Sequence, residues 1–231
     1  MEATARRVPR RAMVLAAGRG ERLRPLTDCV PKPLLAAGDR PLIGHVLARL
    51  AAAGFREVVV NAGWRGVRLM RALGDGSAWG VRIRWSREPE RAYDTAGGIA
   101  AALPLLGCTP FVVANADVWS DYPFERLRRP LRSLAHLVLV DNPPHNARGD
   151  FGLLEDGRVH PALGRRLTYA GIAVLDPLLL AGCGAGRMPL APLLRRAAAR
   201  GLVTGEHWRG EWMDVGTPER LAALRARLEA A

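Results

Sequence analysis

A three-layer α/β fold, an open and mostly parallel sheet with helices on both faces, is what the 231-residue sequence predicts. Three observations carry that expectation. Short continuous apolar runs recur at 13–17, 57–61 (EVVVN) and Phe111–Asn115 (FVVAN), the mark of strands buried on both faces. Helix-period segments separate them at a spacing of about 25 residues, the rhythm of strand–helix–strand units. Composition agrees, since 49% hydrophobic and 24% charged residues exclude a disordered chain.

Each element has its own warrant. The strand over 13–17 stops at Gly18-Arg19, where a Gly- and Arg-rich loop begins. A helix over 39–54 has Asp39 as N-cap, Pro41 in its first turn, Leu42, Val46, Leu47 and Leu50 on one face, and Gly54 as its stop. The run at 57–61 is a second buried strand, and 64–73 reads as a helix. Val81, Ile83 and Trp85 alternate with Arg82 and Arg84, as a strand exposed on one face does. A helix over 95–103 is entered through Asp94-Thr95. After the third buried strand, a helix is expected near 123–134 and a strand over 136–140. Residues 142–168 are turn-rich, with short segments at 151–154 and 168–175, and an amphipathic helix over 218–228 follows Thr217-Pro218. No composition break or low-complexity linker divides the chain, so 1–231 reads as one domain with a basic tail at 1–11.

The net charge of +12 raises the question of nucleic acid. Nucleic-acid binders concentrate charge on one face with aromatics placed for stacking. Here 33 arginines are scattered from Arg6 to Arg227, mostly beside Leu, Ala and Glu, and the charge reads as solvated surface. No apolar run reaches the length of a membrane span or a signal-peptide core, and the three cysteines (29, 108, 183) have neither disulfide nor zinc spacing. A cytoplasmic protein is expected. Against the arginines stands a single lysine, Lys32, which implies a position needing a compact ammonium rather than a planar fork. Glutamine is absent altogether.

Ligands of open parallel sheets bind beyond the carboxyl ends of the strands, which directs attention to the loops after Ala17, Asn61, Trp85, Asn115 and Leu175. The first is the richest: AAGRGERLRPLT over 16–27, then PKPL from Pro31. Its glycines let backbone N–H groups approach an anion, and its arginines supply fixed donors for phosphate oxygens. Leu23 and Pro25 exclude the GxGxxG dinucleotide fingerprint, and no GK[ST] occurs for a Walker loop.

That loop with PKPL resembles the signature of the NTP:sugar-1-phosphate nucleotidyltransferases. The resemblance runs on through Asp94–Gly98 (DTAGG), Asn115-Ala116-Asp117, Tyr169-Ala170-Gly171-Ile172 and Trp212–Thr217 (WMDVGT), and so covers essentially the whole chain. It implies a Rossmann-like, glycosyltransferase-A-like sheet and transfer of a nucleotidyl group from a nucleoside triphosphate to a sugar 1-phosphate. By that resemblance Ala17, Gly18, Gly20, Glu21 and Arg22 lie along the nucleotide, Lys32 bridges the reacting phosphates, and Asp117 and Asp214 hold Mg²⁺. Lys32, Arg22 and Asp117 would carry the chemistry. The backbone of Gly97 would meet the nucleobase, with Glu88 as an acceptor where relatives often use Gln; a surface charge is an equal reading of Glu88. Arg19 and Arg24 read as solvated or structural.

Two departures narrow the family. The Glu-Lys-Pro segment that many members carry is missing from 155–166, which leaves Arg165 or Arg166 as replacements for its lysine, and Asn115-Ala116-Asp117 stands where a Gly-Asp pair is usual. Both, with Gly149-Asp150-Phe151, MPLAPLL from Met188 and Thr204–His207, resemble the N-acetylmuramate α-1-phosphate uridylyltransferase subgroup. That implies UTP and N-acetylmuramate α-1-phosphate as substrates, with Asn115 and Asp150 at the sugar and Gly171 also among the substrate-binding residues. Guanylyl transfer to mannose 1-phosphate, thymidylyl transfer to glucose 1-phosphate, and an inactive regulatory homologue are the alternatives.

Overall fold

The computed structural model describes residues 8–90 and 93–230. Strand β1 (Arg11–Leu15) leads through a turn of 3₁₀ helix at Glu21–Leu23 into the short α1 (Leu26–Cys29), then the hairpin β2 (Ala36–Ala37) and β3 (Arg40–Pro41). Helix α2 (Leu42–Ala52), β4 (Glu57–Ala62), α3 (Gly66–Leu73), β5 (Arg82–Arg87), α4 (Asp94–Leu106) and β6 (Phe111–Asn115) complete the alternating half. There follow β7 (Val118–Ser120), β8 (Ala135–Val140), β9 (Phe151–Leu153), β10 (Val159–His160), β11 (Arg165–Leu175), α5 (Leu190–Ala199), β12 (Val203–His207), β13 (Trp212–Asp214) and α6 (Pro218–Glu229).

One nine-stranded sheet forms the centre, in the order β10-β9-β11-β6-β1-β4-β5, with β8 beside β11 and β12 beside β8. The strands expected to be buried on both faces, β6, β1 and β4, are parallel neighbours, and β5 extends them. Their alternate residues feed two cores. Val14, Val58 and Val60 pack with Ile43, Leu47 and Leu69 of α2 and α3, while Met13, Val59 and Val113 pack with Ile99 of α4 and Leu194 of α5. A third cluster joins Leu23, Leu35, Leu42, Val215, Leu221 and Leu224. It binds α6 to the loop after β1.

The structure departs from the sequence expectation in four places. Asp39 does not cap α2; Pro41 holds that position, and the Asp39 carboxylate pairs with Arg40 in the β2–β3 turn. The helix expected near 123–134 is a single 3₁₀ turn, Phe124–Leu127, because Pro130 cannot donate within a helix. Strand β11 runs antiparallel to β6 with Leu175 opposite Phe111, so the loop after Leu175 lies at the amino end of β6, away from the expected site. Arg11 belongs to β1 and pairs with Glu57 at 2.7 Å, while Arg6 and Arg7 lie outside the described residues.

The 3₁₀ turn is tied to β12 instead. Tyr122 donates its hydroxyl to Glu206 Oε1 at 2.5 Å, Arg126 Nε donates to Oε2 at 2.9 Å, and His136 Nε2 stands 3.6 Å away. Burial works to raise the Glu206 carboxyl, but the donors His136, Arg126 and Tyr122 outweigh it and hold the group down to about 2. A depressed carboxylate contributes stability above its unfolded value, near 4.5, and loses it as pH falls toward 2. Glu206→Gln is therefore expected to melt below wild type at pH 7 and to lose less stability between pH 4.5 and 2. Thermal melts followed by circular dichroism across that window test this; parallel curves for the two proteins would remove the carboxylate as a source of acid sensitivity.

Candidate active site

A cavity of about 660 Å³ opens beyond the carboxyl ends of β1, β4 and β6. Ala17, Gly18, Gly20, Glu21, Arg22, Lys32, Asn115 and Asp117 all lie in its wall, contributed by three separate segments. The loop after β1 is shaped by Gly20, whose φ of +68° suits glycine, and whose Cα lies so near Lys32 that a Cβ would come within 3.0 Å of the Lys32 Cβ. Thr27 Oγ1 donates to the Gly20 carbonyl at 2.9 Å, and fully buried Leu23 anchors the loop in the third cluster. The N–H groups of residues 18–21 donate to no other described residue, so the loop presents unspent donors.

Lys32 is buried, and its ammonium forms an ion pair with Asp117 at the end of β6. The second expected acid, Asp214, is brought beside it by backbone pairing: Asp214 lies opposite Val118, and Val215 N–H donates to the Asp117 carbonyl at 2.8 Å. Its carboxylate pairs with Arg220 and lies 3.0 Å from His145 Nε2. Arg22 and Arg220 both converge on Gly216. Asp117 stands in the cavity wall and Asp214 does not, although the Val215–Asp117 backbone hydrogen bond joins their segments; a magnesium ion held by both carboxylates would take its remaining ligands from water and phosphate. No group of three or more His, Cys, Asp or Glu that would form an all-protein cage occurs among the described residues.

Other expected residues fall elsewhere. Gly97 is outside the cavity wall: its N–H donates to the Met188 carbonyl at 3.2 Å and its Cα packs against the Gly186 carbonyl, so its backbone is spent on the loop before α5. Glu88 reaches the cavity, but its carboxylate is taken by Asn61 Nδ2 at 2.6 Å and the Tyr93 N–H at 3.0 Å. Gly171 faces the Asn115 amide. Asp150 lines a second cavity of about 340 Å³, which has Asp94, Thr95 and Asn115 in common with the first. Arg165 pairs with Asp141, and Arg166 donates to the carbonyls of Arg148, Gly149 and Pro161; neither stands in the wall of either cavity. Arg24 pairs with Asp28 at 2.6 Å.

Several residues of the site carry no sequence signal. Asn61 accepts the Ala16 N–H at 2.6 Å while donating to Glu88, and so fixes the end of β1 from the end of β4. Arg19 is not merely solvated: it lines the first cavity with its guanidinium 4.5 Å from the Trp64 ring centroid, and Arg65 lies 5.3 Å from the same centroid. Trp64 is held by its Nε1, which donates to the Thr27 carbonyl at 3.1 Å. Asp94 adopts φ 62°, a left-handed conformation uncommon outside glycine, and lies at the junction of both cavities.

Residues 11–163 match the Nucleotidyl transferase family. The chain is 50% identical over 224 residues to the N-acetylmuramate alpha-1-phosphate uridylyltransferase of Neisseria meningitidis serogroup B, covering 94% of this chain and 97% of that one. It is 37% identical to the protein of the same name from Caulobacter vibrioides, over 95% and 97% of the two chains. A solved structure described as a putative glucose-1-phosphate thymidylyltransferase from Bacillus anthracis superposes with a TM-score of 0.84 over 96% of each chain, at 19% identity, which shows the shared fold. The chain thus belongs to the nucleotidyl transferase family, and the loop after β1, the Lys32 segment and the ends of β4 and β6 form its candidate site.

Proposed function

We propose that this enzyme transfers the uridylyl group of UTP to N-acetylmuramate α-1-phosphate in the cytoplasm, giving UDP-N-acetylmuramate and pyrophosphate for peptidoglycan recycling. Near-full-length likeness to two uridylyltransferases of that substrate carries the assignment, and the buried Lys32 at the phosphate-binding loop supports the chemistry. The arginines are scattered along the chain rather than gathered in one segment, and eight of the described ones pair with carboxylates, as in Arg11–Glu57, Arg126–Glu206 and Arg227–Glu211, which supports a small-molecule rather than nucleic-acid partner.

The reaction forms a bond from the sugar-phosphate oxygen to the α-phosphorus and breaks the bond to pyrophosphate. Positioning and charge neutralisation supply most of the acceleration. Unspent N–H groups over 18–21 receive triphosphate oxygens, with Arg22 and the Trp64-stacked Arg19 as flanking cations. Lys32 places an ammonium where the two reacting phosphates meet and offsets their repulsion. Asn115, whose amide makes no hydrogen bond to another described residue, and Asp150 bind the sugar. Asp117 and Asp214 would hold Mg²⁺, which, when bound, neutralises charge on the phosphate oxygens.

Purified protein with Mg²⁺, given UTP, dTTP or GTP with several sugar 1-phosphates, is expected to turn over UTP with N-acetylmuramate α-1-phosphate fastest. Preference for GTP with mannose 1-phosphate would overturn the uridylyl assignment. Lys32→Arg keeps the charge but cannot seat a planar fork against Gly20 and Asp117; kcat is expected to fall about 10²-fold with the melting temperature little changed. Trp64→Leu removes a stacking contact of about 0.5–1 kcal/mol and is expected to raise KM for the triphosphate about two- to fivefold, measured by pyrophosphate release.

A further inference from the structure

The second cavity is unevenly charged. Asp94 and Asp150 bring two carboxylates to it, and each already accepts a backbone N–H: Thr95 at 2.7 Å for Asp94, Tyr169 at 2.9 Å for Asp150. Its one cationic wall residue among those described is Arg195, on the outer side of α5. That guanidinium has no ion pair among the described residues. Its contact is with the Phe151 ring, 6.0 Å from the centroid, beside Asp150 in sequence. Apolar surface from Phe151, Leu190 and Leu194 surrounds it. The Tyr169 hydroxyl makes no hydrogen bond to another described residue, and burial holds the phenol above the usual tyrosine range, so it stays a neutral donor.

N-acetylmuramate differs from N-acetylglucosamine by a lactyl ether on O3, which carries one methyl group and one carboxylate. A third carboxylate entering this cavity meets like charge from Asp94 and Asp150 unless a cation compensates it. We infer that Arg195 is the specificity-determining residue that receives the lactyl carboxylate, with the Phe151–Leu190–Leu194 wall taking the methyl group. The inference rests on the proposed substrate and deepens it. The guanidinium is suited to the task, since its planar fork matches a carboxylate and its face already lies over an aromatic ring.

Steady-state kinetics of wild type, Arg195→Gln and Arg195→Lys with UTP and Mg²⁺ test this against N-acetylmuramate α-1-phosphate and N-acetylglucosamine 1-phosphate. Because Arg195 is exposed on its helix, the variants are expected to fold, checked by circular dichroism. Arg195→Gln should raise KM for the muramate substrate roughly ten- to a hundredfold, the worth of a charge-assisted hydrogen bond, while kcat stays within about threefold. KM for N-acetylglucosamine 1-phosphate should not rise, and Arg195→Lys should fall between. A wild type that prefers the muramate substrate, with a variant that keeps the full preference or loses both substrates equally, overturns the role of Arg195 alone. A wild type that prefers a sugar without the carboxylate overturns the substrate reading and this inference together.

Discussion

A buried ammonium is costly unless an opposite charge meets it, and the Lys32–Asp117 pair is where this fold meets that requirement. The two residues are 85 positions apart in the chain, so their contact needs the loop after β1 to fold back across the end of β6. Close approach at Gly20, the Thr27 hydrogen bond and the Leu23 anchor all serve that return. Asp214 reaches the same region through β13, β7 and the Val215 amide. Loss of the pair would leave either a buried cation or an uncompensated carboxylate, and the loop would lose its reason to close.

The parallel half of the sheet was legible in the sequence because its signal is local and strong. EVVVN and FVVAN became β4 and β6 almost residue for residue, and Thr217 caps α6 as its position before Pro218 implied. The antiparallel half was less legible, because pairing direction is a tertiary choice: β11 reads as apolar whichever way it runs. Pro130 stood in the open within the helix expected near 123–134. Helix α5 carried a usable signal in Leu190, Leu194, Ala197 and Ala198, spaced on one face; reading it would have placed Arg195 beside that face.

The site divided along the same line. Residues of the first loop, Lys32, Asn115 and Asp117 gather in one cavity, since consecutive chain segments deliver them from strand ends. Asn61, Trp64 and Tyr169 were given no individual role because each makes its contact with a distant segment: Ala16, Thr27 and Asp150 respectively. Gly97 shows the opposite case. A glycine in a recognisable turn was given to the ligand, although close packing against the Gly186–Met188 loop accounts for it.

The two cavities have only Asp94, Thr95 and Asn115 in common. One hangs on the ends of β1, β4 and β6; the other on β9, β11 and α5. Such a seam makes the molecule modular for evolution and for engineering. Under the proposed assignment, substitutions on α5 or β9 change which acceptor is admitted while the loop after β1, braced by its own core cluster, keeps its geometry. Selectivity can thus drift on one side of three residues without disturbing reactivity on the other.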